Sequence, residues 1–152
     1  MKHLDYMREA IEEAKRGISA KEGGPFGSVI VKDGEIIGRG HNQVVANNDP
    51  TCHGEIQAIR NACKTIGNFD LSGCVIYTTG EPCPMCRAAC LWANIDKVYY
   101  GCTVADNADI GFRDESMYKD MREENGEFLE NVGREECLAL FDKYKRSDKT
   151  MY

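Results

Sequence analysis

Four side chains capable of metal binding or proton transfer fall into two short motifs. The first motif is Cys-His-Gly-Glu, in which His53 and Glu55 lie two residues apart. The second is Glu-Pro-Cys-Pro-Met-Cys, in which Cys83 and Cys86 lie three residues apart. Imidazole and thiolate groups bind transition metals, and a carboxylate beside them can move protons. The two motifs therefore predict one site that combines metal binding with acid–base chemistry.

Three of these side chains form a ligand set for Zn²⁺. Residues three apart on a helix share a face, so Cys83 and Cys86 point to one spot at the start of a helix that Pro84 begins. The positive end of that helix favours the thiolate form. With His53 as the third ligand, one tetrahedral position stays open for water, which is typical of catalytic zinc. Iron stays an alternative, because these ligands suit several transition metals.

Glu55 is the candidate proton shuttle of this site, since a carboxylate there can take a proton from water and later give one to a leaving amine. Two other uses of the Cys-x-x-Cys pair remain open. A redox dithiol has the same spacing but does not require the His-x-Glu motif. A structural zinc site, which would only fold an interaction module, needs a fourth Cys or His, and the sequence has no second Cys-x-x-Cys.

Hydrophobic periodicity predicts the elements that position these motifs. Apolar residues at steps of three and four predict a first amphipathic helix with one buried face: Leu4, Met7, Ile11, Ala14 and Ile18. The strands FGSVIV and EIIGRG flank Lys32-Asp33-Gly34, a sequence typical of a tight hairpin turn. A helix follows over 51–66, with Asp49 or Thr51 as its cap.

The rest of the chain alternates between strands and helices. A strand is predicted over 74–79, a helix over 84–95, a strand over 97–104 and a closing helix over 134–145. Such alternation is typical of parallel crossover units, so we expect an α/β fold with a mixed sheet. If the strands before the two motifs are parallel neighbours, both helix starts lie at the same sheet edge and can converge.

Composition limits the classes of protein that this chain can represent. Its 152 residues fit one domain, and 42% hydrophobic with 29% charged residues is a globular composition without a membrane-spanning run. The first residues, MKHLDYMREAIEEAKRG, lack the apolar core of a secretory signal, so we expect a cytoplasmic location. A net charge of -6 disfavours nucleic acid as the partner and favours a small-molecule substrate.

The combination of C-H-G-E with E-P-C-P-M-C resembles the zinc-dependent nucleobase deaminases of the cytidine deaminase superfamily, whose signature is H-x-E followed by P-C-x-x-C. The resemblance implies a three-layer α/β/α sandwich with a mixed central sheet. It also implies that His53, Cys83 and Cys86 hold Zn²⁺ and that Glu55 is the proton shuttle. The four side chains would then form one hydrolytic site.

Within this superfamily the chain resembles the bacterial guanine deaminases, through segments such as GGPFG, VIVKDG, NDPT, AIRNACK and GFRD. In that branch an Asn at the position of Asn42 and an Asp at the position of Asp114 hold the purine, while Phe26 and Trp92 match pocket residues. A carboxylate accepts from the ring N–H and amine of guanine, and an amide both donates and accepts. The resemblance implies that guanine is hydrolysed to xanthine and ammonia.

The resemblance also implies a homodimer built from one domain, 1–152, per chain. The C-terminal segment, about 134–152, is then exchanged between subunits, and the final Tyr152 closes the active site. Gly54 and Gly80 depart from the residues usual in the family, which leaves the shape of the pocket open. Cytosine deaminase and tRNA adenosine deaminase share the signature and are the alternative activities, although RNA binding needs a basic surface such as the KYKRSDK segment.

Overall fold

The computed structural model describes residues 2–123 and 128–152. Within them a four-stranded mixed sheet has the order β2-β1-β3-β4, with strands β1 (Gly27–Lys32), β2 (Glu35–His41), β3 (Cys74–Gly80) and β4 (Lys97–Cys102). The predicted hairpin joins β1 to β2, and its turn residues Asp33 and Gly34 have φ values of 49° and 80°. Such positive φ angles match the right-handed twist of the paired strands, which explains the Asp-Gly sequence.

Helices cover both faces of this sheet. The described residues form α1 (His3–Ser19), α2 (Val44–Asn47), α3 (Gly54–Ile66), α4 (Pro84–Trp92), α5 (Val104–Asp109), α6 (Asp114–Arg122) and α7 (Arg134–Lys145). Side chains alternate along β1: Val29 packs with Tyr6 of α1, whereas Ile30 packs with Ala58 of α3 and Cys90 of α4. The predicted α/β/α sandwich with a mixed sheet is therefore confirmed.

The buried face of α1 differs from the predicted one. Leu4, Ile11 and Ile18 are 59%, 38% and 50% exposed. The residues that face the sheet are smaller or polar: Tyr6, Ala10, Glu13, Ala14 and Gly17. Small side chains let the helix lie close to the strands. Glu13 can be buried because a guanidinium nitrogen and an imidazole nitrogen both pair with its carboxylate. A pattern of large apolar residues does not detect such a face.

The connections place two helix starts at one edge of the sheet. Strand β1 is antiparallel to both β2 and β3, so β2 and β3 run in the same direction although β1 separates them. Helix α3 follows β2 and helix α4 follows β3, which puts the beginnings of both helices where these strands end. His53, rather than Asp49 or Thr51, occupies the N-cap position of α3, because Asp49 turns back to bond the backbone N–H of Thr51 at 2.8 Å.

The C-terminal part of the chain has little contact with this sandwich. Helix α7 has the predicted bounds, but all described residues from 128 to 152 are exposed, so it does not close the domain as expected. The ring of Tyr152 lies 6.0 Å from that of Trp92 and 6.1 Å from that of Phe69. Among the described helices, none has the length and apolar character needed to span a membrane.

Candidate active site

Two helix starts bring a histidine and two cysteines together. His53 is the N-cap residue of α3, Cys83 is the N-cap residue of α4, and Cys86 lies in the first turn of α4 after Pro84. Their candidate ligand atoms all lie within 4.8 Å of one another. His53 Nδ1 is 3.5 Å from the Sγ atom of each cysteine. The structure therefore assembles a three-residue cluster from the two sequence motifs.

The donor atoms of this cluster fit a tetrahedral zinc ion. Zn–S bonds of about 2.3 Å and Zn–N bonds of about 2.1 Å, at tetrahedral angles, separate a nitrogen ligand from a sulfur ligand by about 3.6 Å. The two observed distances of 3.5 Å agree with this geometry. The Cys86 thiol donates to Cys83 and lowers the pKa of Cys83 to about 4, so the cluster readily supplies a thiolate. The same hydrogen bond raises the pKa of Cys86, and a bound cation would lower that pKa.

Glu55 lies beside this cluster in the first turn of α3. Glu55 is only 5% exposed, and it lines the same cavity as His53 and Cys83. Burial is the main cause that raises the pKa of Glu55 to about 7, and the charge of Cys83 adds to it. A carboxyl group with such a pKa can both accept and donate a proton near neutral pH.

A cavity of about 360 Å³ opens above these groups. Besides His53, Glu55 and Cys83 it is lined by residues that include Phe26, Asn42, Phe112 and Asp114. The rings of Phe26 and Phe112 meet edge to face with centroids 4.8 Å apart and form an apolar wall. A volume of this size lies at the small end of ligand pockets and is large enough for a single planar base.

Asn42 reaches the cavity from the end of β2 and is held by several contacts. Its backbone N–H donates to the carbonyl oxygen of Phe26 at 2.9 Å, and its Oδ1 accepts from the backbone N–H of Val44 at 3.1 Å. Gly23 lies directly against it: a Cβ atom there would be 2.1 Å from Asn42 Oδ1. With Oδ1 already bonded, the NH₂ group of Asn42 is the part of the amide suited to bind a ligand.

The segment on each side of Asn42 is tied to Glu22. One oxygen of Glu22 lies 3.2 Å from His41 Nε2 and 2.5 Å from Gln43 Nε2, and these two residues flank Asn42. The hydrogen bond from Gln43, followed by that from His41, lowers the pKa of Glu22. The Glu22 carboxylate therefore bonds the side chains on both sides of Asn42 and restrains the segment that carries it.

Asp114 reaches the cavity from the first turn of α6. Burial, followed by the negative charge of Cys83, raises the pKa of Asp114, whereas a hydrogen bond from Asn107 lowers it. Asn107 is 2% exposed, and the sequence motifs do not reveal it. Its only sequence signal is a polar residue shortly before GFRD, which is indistinguishable from a solvent-exposed asparagine until burial is known.

Trp92 and Tyr152 lie outside this cavity. They are 68% and 77% exposed, and they contact each other near Phe69. The structure thus brings His53, Glu55 and the two cysteines together with Phe26, Asn42 and Asp114, but it leaves these two aromatic residues apart from them.

Comparison with known proteins finds a matching family model and similar enzymes. The family model of the cytidine and deoxycytidylate deaminase zinc-binding region matches residues 1–102. Guanine deaminase of Bacillus subtilis is 47% identical over 121 residues, which cover 80% of this chain and 78% of that protein. The tRNA-specific adenosine deaminase of the same organism is 35% identical over 143 residues, or 93% and 87% of the two chains.

A solved structure matches the whole chain. The X-ray structure of guanine deaminase from Bacillus subtilis superposes with a TM-score of 0.92 at 41% identity, and the match covers 100% of this chain and 99% of that one. The similarity therefore includes the C-terminal segment beyond the residues of the family model.

Proposed function

This chain belongs to the cytidine and deoxycytidylate deaminase family, and from this premise we propose that it hydrolyses guanine to xanthine and ammonia. The family predicted from the two motifs is confirmed, and with it the prediction of a zinc-dependent hydrolase. One observation carries the choice of a small base: a cavity of about 360 Å³ is lined by His53 and Cys83 of the cluster, by the buried Glu55, and by the polar side chains of Asn42 and Asp114.

The cluster supports the assignment of His53, Cys83 and Cys86 as ligands of Zn²⁺. When bound there, Zn²⁺ supplies the positive charge that lowers the pKa of water toward neutrality. Glu55 is the group of the chain that moves protons. It takes a proton from the attacking water and gives it to a ring nitrogen, then takes the second proton of the same oxygen and gives it to the departing amine, for which a pKa of about 7 is well suited.

Asn42 and Asp114 are the groups that select guanine. The ring N–H and the 2-amino group of guanine are donors that match a carboxylate such as Asp114. The O6 and N7 atoms are acceptors, which match the NH₂ group that Asn42 retains after its Oδ1 bonds Val44. Phe26 offers an aromatic ring to the plane of the base. A base with the wrong edge leaves a buried polar group unpaired, at a cost of about 1–3 kcal/mol.

We propose that the active form is a homodimer of single-domain chains (1–152) that exchange the segment at about 134–152. Support comes from the exposure of this segment, which includes Phe141 at 67% and Tyr152 at 77%. Exchange would bring Tyr152 of one subunit to the cavity of the other and bury Trp92 beside the exchanged segment. A cytoplasmic location accompanies this proposal, because zinc-binding thiols must stay reduced.

The proposal is tested by ammonia release from guanine, cytosine and adenine by the zinc-loaded protein. A tRNA whose anticodon begins with adenosine is included, since a tRNA-specific relative is 35% identical. We expect release from guanine and little from the others. Release from tRNA alone would refute the guanine assignment and favour RNA editing instead.

The matched variant is Glu55→Gln, which keeps the shape of the side chain. We expect it to retain zinc and to lose at least about a hundredfold in kcat, the usual contribution of a general acid–base group. An interaction module with structural zinc would have no activity to lose, and unchanged turnover in this variant would contradict the role of Glu55.

Tail exchange is tested by mixing two inactive chains. One carries Glu55→Gln, and the other carries Tyr152→Ala. If the tail closes the partner's site, mixed dimers contain one site with an intact Glu55 and an intact Tyr152, so activity returns after the chains are refolded together. No recovery in dimers shown to be mixed would refute the exchange.

A further inference from the structure

A buried amide lies behind the wall of the active-site cavity. Asn107 belongs to α5 and is only 2% exposed. Its Nδ2 group donates to the carbonyl oxygen of Glu81 and to Oδ2 of Asp114, each at 3.2 Å. The carbonyl oxygen of Glu81 and the ionised carboxylate of Asp114 can only accept hydrogen bonds. The NH₂ group of Asn107 must therefore face them, and both of its N–H bonds are used.

The same residue organises the chain that leads to Asp114. The carbonyl oxygen of Asn107 accepts from the backbone N–H of Phe112 at 3.0 Å, two residues before Asp114. Its backbone N–H donates to Thr103 at the start of α5. Asn107 therefore holds the segment by its backbone and the carboxylate by its side chain.

The absence of a side chain at position 80 makes room for this arrangement. A Cβ atom on Gly80 would lie 3.0 Å from Asn107 Oδ1 and 3.0 Å from the ring of Phe26. A larger residue would press on the amide and on the aromatic wall at the same time. The glycine at position 80 thus leaves room for a buried asparagine that bonds Asp114.

We propose that Asn107 is a positioning residue that sets the orientation of the Asp114 carboxylate toward the substrate. It acts through Asp114 and does not touch the base. The hydrogen bond occupies Oδ2, restrains rotation of the carboxylate and favours its charged form, which is the form that accepts from two donors of a base. The identity of that base rests on the proposed function, whereas the link between Asn107 and Asp114 rests on the geometry.

Loss of this hydrogen bond should act mainly on substrate binding. In Asn107→Ala the Asp114 carboxylate can rotate, and the base meets a less organised acceptor in the ground state and in the transition state alike. We expect KM for guanine to rise about tenfold while kcat changes less than about threefold, the pattern of lost uniform binding. The control is Asn61→Ala, which removes an exposed amide that donates to Arg39, and which should change neither constant more than about twofold.

A double-mutant cycle separates this role from a purely structural one. We expect Asn107→Ala to lower kcat/KM about tenfold in the wild-type background but less than about twofold in an Asp114→Ala background. A structural role would lower kcat/KM by the same factor in both backgrounds and would overturn the proposal. Zinc content and the melting temperature are measured for each variant.

A second measurement does not require activity or a foldable Asn107 variant. In the zinc-loaded protein, the side-chain ¹⁵NH₂ resonances of Asn107 should shift in Asp114→Ala, while those of Asn61 should not. Unshifted Asn107 resonances would refute the contact. If wild-type protein releases no ammonia from guanine, the proposed function fails, and the cycle is then measured with the base that it does deaminate, while the NMR result decides on Asn107.

Discussion

Replacement of Gly23 by alanine should disable base recognition without disturbing the metal cluster. The added Cβ would lie 2.1 Å from Oδ1 and 2.7 Å from the backbone oxygen of Asn42, whereas ordinary contacts begin at 3.4 Å. Asn42 must then retreat by about 1.3 Å, which breaks its 3.1 Å hydrogen bond with Val44 and moves its NH₂ group away from the base. Misplacement of a binding group by about 1 Å can cost a hundredfold in rate.

The expected magnitude follows from one lost hydrogen bond in a buried site. A cost of about 1–3 kcal/mol corresponds to a decrease in kcat/KM of roughly fivefold to somewhat more than a hundredfold. Steady-state kinetics with guanine gives this ratio, and metal analysis should find the same zinc content as in the wild type. The backbone φ of Gly23 is accessible to alanine, so the loss reflects the clash with Asn42.

Gly24→Ala is the matched control, because it adds the same methyl group one residue along the chain. Its Cβ would meet the Cζ atom of Phe112, the far end of a side chain that is 36% exposed, at 2.7 Å and the ring of Phe26 at 3.2 Å, so it presses on the aromatic wall and leaves Asn42 and its hydrogen bond untouched. We expect a decrease in kcat/KM below about threefold. Equal losses in Gly23→Ala and Gly24→Ala, or wild-type kinetics in Gly23→Ala, would refute the role given to Asn42.

Three further predictions concern the metal, the core and the response to acid. Cys86→Ser should lose bound zinc by elemental analysis, whereas Cys90→Ser, one turn along α4 and part of the hydrophobic core, should keep it; zinc loss in both variants would contradict the ligand assignment. Thr78→Val removes the acceptor of the fully buried Ser28 hydroxyl at 3.0 Å and should lower the free energy of unfolding by about 1–3 kcal/mol in urea titrations. The double variant with Ser28→Ala should recover part of this loss, and strict additivity would argue against the pair. Hydrogen bonds from a glutamine and a histidine lower the folded-state pKa of Glu22, so its stabilising contribution is present above the reference value of 4.5 and disappears as the pH falls through the lower folded-state value. The difference in melting temperature between wild type and Glu22→Gln should therefore shrink on acidification, and a constant difference would show that the carboxylate charge is irrelevant.

Several features of the fold followed from the sequence because they depend on near neighbours in the chain. The Asp-Gly turn between β1 and β2 requires two positive φ angles, and these residues adopt them readily. The alternation of strands and helices after residue 74 indicated parallel crossovers, and β3 and β4 are indeed parallel. The buried face of α1 was predicted only in part: Ala14 is buried and Met7 packs on the core as expected, but Leu4, Ile11 and Ile18 are exposed, and small residues with a paired Glu13 complete the face.

The chemistry of the candidate site was readable from the sequence by itself. Cys83 and Cys86 share one helical turn, and His53 and Glu55 share another, so the spacing within each motif fixes which groups act together. Only the tertiary structure decided that the two turns meet, because their separation depends on the strand order, in which β1 lies between two parallel strands.

Tertiary structure also decided the surroundings of this chemistry. It placed Asn42 and Asp114 in one cavity, left Trp92 and Tyr152 outside it, and buried Asn107 behind the cavity wall. These placements depend on contacts between residues far apart in the chain, whose distances no local spacing encodes. The residue types and spacing within the two motifs therefore determined the reactive groups, while packing between elements determined what can reach them.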